Sequence, residues 1–120
     1  MFIPIIIGRV ILGAYFIYNA YGHFKGLKGM TGYAESKKVP FPKFSVILTG
    51  IMLLVGGLAI LSGFFAILGI AVLILFLITT TFMMHNFWKE TDPMARMNQK
   101  IAFNKNMALI GALLIIMGMI

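Results

Sequence analysis

From Ala66 to Phe82 the chain is almost wholly apolar and contains no charged side chain. About 20 residues at about 1.5 Å each cross a hydrocarbon core of about 30 Å, so this stretch fits a membrane span. It then passes through Thr79-Thr80-Thr81 into Met84-His85-Asn86-Phe87-Trp88, so a greasy helix ends in a polar, aromatic cluster. Three other apolar segments accompany it. With 61% hydrophobic residues and a mean hydropathy of +1.00, the 120-residue chain lacks the polar surface of a water-soluble domain. Apolar and polar residues do not alternate as they would in barrel strands. The sequence predicts an all-α, integral membrane, antiparallel four-helix bundle. Residues 1–120 form a single domain in this reading, with spans near 3–21, 44–61, 65–85 and 100–120.

Composition narrows the chemistry. The chain has no cysteine, which removes disulfides, thiol redox chemistry, iron–sulfur clusters and cysteine zinc sites. Its formal net charge is +7. The lysines sit in loops beside spans, so anionic lipid headgroups and topology explain the excess, and nucleic acid is not an expected partner. Met1–Ile7 has no basic leader, and Arg9 falls inside the apolar run, so the segment reads as a retained first span.

Along the chain the polar residues are few. Pro4 suits a first helical turn. Arg9 lies about a third of the way into span one, where a cation must snorkel or find a partner. An anionic headgroup, helix-end carbonyls and the terminal carboxylate of Ile120 are the candidates, since no span contains Asp or Glu. Asn19 and His23, four residues apart, share a helix face. Tyr residues near the span end read as an interface belt. Loop one, residues 24–43, carries five lysines, among them Lys25, against Glu35. Thr31 is expected to cap a short surface helix running to Lys38, before Val39-Pro40. Gly50, Gly56, Gly57 and Gly63 permit close helix contact. In loop three, residues 86–99, Asp92-Pro93 favours a surface helix from Met94. Span four follows, with Asn104 and Asn106 in its early turns. Apart from Arg9, every Lys and Arg lies in loops one and three or at the start of span four. The positive-inside rule therefore puts loops 24–43 and 86–99 in the cytoplasm of a multi-pass cell-membrane protein, with both termini outside.

Antiparallel spans bring Asn19, His23, His85, Asn86 and Asn106 to one end, with Trp88 and Lys25 nearby. Polar groups in lipid need partners, and imidazoles there are functional candidates. One reading makes them hydrogen-bonding glue between helices. The other makes them the polar head of a pocket for a quinone or lipid, with His85 as proton relay, and Arg9 and Lys25 on anionic groups. Neither a metal nor haem is expected. The scattered methionines are filler rather than copper ligands.

The pattern resembles the DoxX family of small four-span membrane proteins. Gly8-Arg9-Val10-Ile11-Leu12-Gly13 is similar to the family's Arg-containing first span, and Asn19-Ala20-Tyr21-Gly22-His23-Phe24-Lys25 to its Gly-x-x-Lys ending. Val39-Pro40-Phe41-Pro42, Gly56-Gly57, His85-Asn86-Phe87-Trp88 and Phe103-Asn104-Lys105-Asn106 complete the likeness. The family commonly has Glu in span two, where this chain reads Met52-Leu53-Leu54, and often Asp where it has Asn86. Both departures remove carboxylates able to carry protons. One branch of the family resembles the small subunit of thiosulfate:quinone oxidoreductase. The resemblance thus implies an accessory subunit of a quinone-linked redox system, with quinone as cofactor and a redox partner subunit. Distantly similar four-span proteins bind sterols, which implies the alternative of a non-enzymatic lipid- or sterol-binding scaffold. Membrane lipids are partners in either case, and homo-oligomers through glycine faces are expected.

Overall fold

The computed structural model describes residues 2–120, and its described residues are almost all helical. Five α-helices follow one another: α1 (Phe2–Lys25), α2 (Leu27–Ser36), α3 (Pro42–Ser62), α4 (Ala66–Met84) and α5 (Pro93–Met119), with a 3-10 turn at Phe87–Lys89 before α5. Four helical stretches, α1, α3, Ala66–Lys89 and α5, are long and apolar enough to cross a bilayer. The chain is thus an all-α, multi-pass membrane protein. It divides into two compact units, Met1–Leu73 and Ile74–Ile120, with α4 contributing to both.

The first unit is built on close helix contact. Val46, Gly50, Leu53, Gly57 and Ile60 recur along α3 at steps of three and four, and all are buried. Gly13, Phe16 and Ala20 form the matching buried stripe of α1. The two helices run antiparallel. A Cβ added at Gly13 would lie 3.0 Å from the Gly57 carbonyl, and one at Gly50 would lie 3.1 Å from the His23 Cβ. The start of α4 returns along α3 in the same way. A Cβ at Gly56 would collide with the Leu73 side chain, and one at Gly69 with the Ala59 Cβ. In lipid no hydrophobic gain drives helices together, so these close approaches supply dispersion contact in its place. The turn between α3 and α4 rests on Gly63, whose φ of +80° is left-handed and whose N–H bonds the Ala59 carbonyl.

Arg9 reaches this turn. Its Nη1 lies 3.1 Å from where a Gly63 Cβ would stand, so the guanidinium sits at the carbonyl end of α3, the negative end of that helix dipole. Arg9 is therefore level with the α3–α4 turn, and Phe2–Gly8 continue past it. Those residues are exposed, as a lipid-facing segment is.

Two boundaries differ from the sequence expectation. The short loop helix begins at Leu27, so Thr31 lies inside α2 rather than at its cap. The Met30 N–H already bonds the Gly26 carbonyl, which leaves Thr31 no orphan donor to cap. At the other end Lys38 is left-handed (φ 59°), and the Val39 N–H returns to the Ala34 carbonyl at 3.1 Å. The surface helix expected from Met94 and the fourth span are one helix, α5. Asp92 caps it by accepting from the Ala95 N–H at 2.9 Å, and nothing between Pro93 and Met119 breaks it.

Gly69→Ala is expected to lower stability in detergent by about 1–3 kcal/mol, since the new methyl overpacks against Ala59. Gly111→Ala, whose Cβ meets nothing within 4 Å, is expected to be neutral or to stabilise by up to about 1 kcal/mol through helix propensity. Thermal unfolding of both variants by circular dichroism checks the pair, and equal effects would contradict the packing.

Candidate functional site

In the first unit the sequence candidates Asn19, His23 and Lys25 come together at the end of α1. They line a shallow hollow of about 290 Å³ with Tyr18, Tyr21, Gly22 and Met30. The Asn19 side-chain N–H donates to the Tyr15 carbonyl at 2.7 Å. The Asn19 carbonyl in turn lies 2.9 Å from His23 Nδ1. A carbonyl only accepts, so Nδ1 carries the proton, and Nε2 is the lone-pair nitrogen of the neutral ring. Gly50 backs His23 and Phe24 from α3, which fixes the ring's seat. The Lys25 ammonium stands 5.6 Å from the centre of the Tyr21 ring, within cation–π range. The hollow thus offers imidazole, phenols and an ammonium at the end of an apolar helix. Arg9 does not belong to it. Sixteen residues separate Arg9 from Lys25 on one helix, about 24 Å at the helical rise.

In the second unit His85 follows the last turn of α4, and its backbone N–H bonds the Thr81 carbonyl. Its Nδ1 lies 2.8 Å from Gln99 Oε1 on α5. An amide oxygen accepts, so here too Nδ1 carries the proton and Nε2 the lone pair. Asn86 and Asn106 are buried. The Thr81 hydroxyl is fully buried and has no hydrogen-bond partner among the described residues. Such a group is costly in an apolar surrounding and asks for an explanation.

Four aromatic rings of this unit pack edge to face. Phe103 of α5 lies 5.6 Å from Phe82, 5.4 Å from Phe87 and 5.8 Å from Trp88, centre to centre, and Phe87 meets Trp88 at 5.3 Å. These are favoured aromatic geometries. The Arg96 guanidinium and the Lys100 ammonium approach the Phe87 ring at 6.0 and 5.9 Å. The 3-10 turn at Phe87–Lys89 makes the cluster by folding Phe87 and Trp88 back onto α5.

Sequence reasoning singled out His85, Asn86, Trp88 and Asn106 as candidates and did not single out Gln99, Phe103 and Thr81, which the structure places at this end of the unit. Gln99 and Phe103 were readable in outline, because a short loop returns the chain and places α5's first turns beside the end of α4. Thr81 carried no signal, since Thr79 and Thr80 beside it are the same residue and only burial distinguishes it. Trp88 is the chain's single tryptophan, so it reports on the cluster. Phe103→Ala is expected to shift Trp88 emission and to cost roughly 2–4 kcal/mol, reduced from a fully buried phenylalanine because the ring is half-buried. Fluorescence in detergent and a denaturation curve test this, and an unchanged spectrum would refute the contact.

Residues 5–86 match the model of a protein family, DoxX. No curated protein and no solved structure matches the chain.

Proposed function

The chain belongs to the DoxX family of small membrane proteins, and on that footing we propose that it is an accessory subunit of a quinone-linked redox system. The observation that carries the reading is the buried Thr81 hydroxyl without a partner, one helical turn before His85. A hydroxyl left so in the apolar part of a membrane protein suits a ligand that brings its own polar atom. A quinone supplies two-electron, two-proton chemistry when bound, and its ring and tail are otherwise apolar. His85 fits the polar end. Its Nδ1–H is committed to Gln99, so Nε2 accepts a hydrogen bond from the hydroxyl of the reduced ring and takes up its proton on oxidation. Thr81 donates to a ring oxygen, and Asn106 adds an amide donor at the same end of α4 and α5, where Asn86 is also buried. Trp88 packs on the headgroup. Electrons pass to or from a partner subunit.

A second reading has its own observation. The hollow at Asn19, His23 and Lys25 sets an ammonium and two phenols beside apolar wall, which suits a lipid headgroup. Arg9, at the α3–α4 turn, holds an anionic headgroup at the opposite end of α1. In that reading the protein is a non-enzymatic lipid- or sterol-binding scaffold. Copies associate through exposed glycine-bearing faces in either case.

Binding of a menaquinone analogue to purified protein in nanodiscs separates the two readings. Saturable binding is expected, weakened about tenfold in His85→Ala and in Thr81→Val, the loss of one hydrogen bond of about 1–1.5 kcal/mol. If Thr81→Val binds normally and merely melts higher, the hydroxyl is an orphan and the redox reading fails. Phospholipid that copurifies with the wild type and is lost from Lys25→Ala supports the scaffold.

Orientation follows from charge. Single cysteines in the cysteine-free chain, Lys38→Cys and Asn98→Cys, are expected to resist a membrane-impermeant maleimide until cells are lysed. Labelling of intact cells would reverse the cytoplasmic assignment.

A further inference from the structure

We propose that Arg96 and Lys100, held on the ring of Phe87, form a binding site for the phosphate of an anionic phospholipid. Arg96, Lys100 and Phe103 stand at i, i+4 and i+7, so they share one stripe of α5. All three meet the same ring. Phe87 lies 6.0 Å from the Arg96 guanidinium, 5.9 Å from the Lys100 ammonium and 5.4 Å from the Phe103 ring. The 3-10 turn at Phe87–Lys89 delivers that ring to the stripe. Two cations are thus gathered at one place by a group that carries no charge.

The local charge balance calls for an anion. Like charges at i and i+4 on a helix repel. Between residues 89 and 105 the chain carries Lys89, Arg96, Lys100 and Lys105 against Glu90 and Asp92. The cations outnumber the acids, and Asp92 is already engaged as the cap of α5. A pairing that local electrostatics disfavours, in a segment with too few acids to offset it, marks a place where function has overridden the local rule.

Depth selects which anion. Phe82, Trp88 and Phe103 form an aromatic belt of the kind that marks the membrane interface. Lys100 precedes Phe103 by three residues, about 4.5 Å along the axis, which keeps it inside a headgroup layer of about 5–8 Å. Arg96 starts about 10 Å out, and its long side chain comes back to the Phe87 ring. Both charges therefore stand where lipid phosphates lie. The guanidinium offers a phosphate two parallel N–H donors, and the ammonium adds a point charge. The acyl chains of the same molecule then run beside the belt rings, a contact that a soluble phosphate ester leaves unused. A zwitterionic lipid brings its own ammonium, which the two cations repel, so a net anionic lipid is preferred. The site uses none of the residues of the hollow at Asn19, and it stands whether or not a quinone binds.

The test uses Trp88, the chain's single tryptophan, which meets the Phe87 and Phe103 rings at 5.3 and 5.8 Å. Bromine on lipid acyl chains quenches a tryptophan that it contacts. The full chain is placed, without quinone, in phosphatidylcholine bilayers holding equal fractions of brominated phosphatidylglycerol or brominated phosphatidylcholine. Phosphatidylglycerol is expected to compete for Trp88 about tenfold better, the order set by two cations at a membrane surface. Combining Arg96→Gln with Lys100→Gln should reduce the preference to at most about twofold, with unchanged quenching by brominated phosphatidylcholine showing that the fold persists. Should the pair perturb the fold, Lys100→Gln alone is expected to lower the preference about threefold, and Lys100→Arg to keep it. Lys28→Gln with Lys43→Gln removes the same charge from loop one and should leave the preference intact. Equal quenching by the two lipids in the wild type overturns the site. So does a preference that survives loss of Arg96 and Lys100, or one that the loop-one pair removes equally, which makes it the field of the whole basic surface. Soluble glycerol phosphate that abolishes the preference assigns a free phosphate ester instead and overturns the lipid.

Discussion

Close backbone approach among α1, α3 and the start of α4 is the constraint on which the first unit depends. Helices in lipid gain nothing by hiding apolar side chains from water, because the surrounding acyl chains are equally apolar. What holds α1 to α3 is contact at distances that only glycine permits, at Gly13 and Gly57, with Gly50 serving the same purpose nearer the loop. Gly56 and Gly69 do this for α3 and α4. Phe16, Leu53, Ile70 and Leu73 then fill the space between these points and are almost wholly buried.

This arrangement positions the polar groups. Because Gly50 lets α3 come up against His23, the imidazole has one seat, and the Asn19 carbonyl fixes which nitrogen holds its proton. His85 is set by a different device, a side-chain amide on the next helix, and the 3-10 turn between them packs two aromatic rings onto Phe103. In both units an acceptor fixes the proton on the imidazole Nδ1. A ring so fixed meets an incoming hydroxyl as an acceptor, and it becomes a donor only when protonated.

Much of the fold was legible because the bilayer demands long charge-free runs, and no Asp, Glu, Lys or Arg stands between Lys43 and Lys89. Asp92-Pro93 marked the start of α5 correctly, since a cap and a first-turn proline are local features. The sequence did not disclose that α5 continues through Lys100 and Lys105 as one helix, because a shift from polar to apolar composition resembles a boundary even where the backbone is continuous. Nor did it reveal the start of α2, set by glycines that propensity disfavours but neighbouring turns accommodate. At the candidate site, the sequence singled out residue types with obvious chemistry. Their positioning partners, Gln99 and Phe103, look ordinary in sequence and gain meaning only from the chain's return. Arg9 was recognised as a cation in need of a partner, but the carbonyl end of α3 could be named only once Gly63 was seen beside it.

The level at which Arg9 meets Gly63 has a consequence for the lipid. Seven apolar residues, Phe2–Gly8, continue past the point where α3 turns back, which adds about 10 Å of hydrocarbon-seeking length to one helix and not to its neighbour. At the other end Gly50 meets His23 and Phe24, so α3 continues about 12 Å past α1 toward Pro42, and the two helices are offset along their axes rather than unequal in span. The pair is therefore staggered, and each helix projects beyond its neighbour at one end.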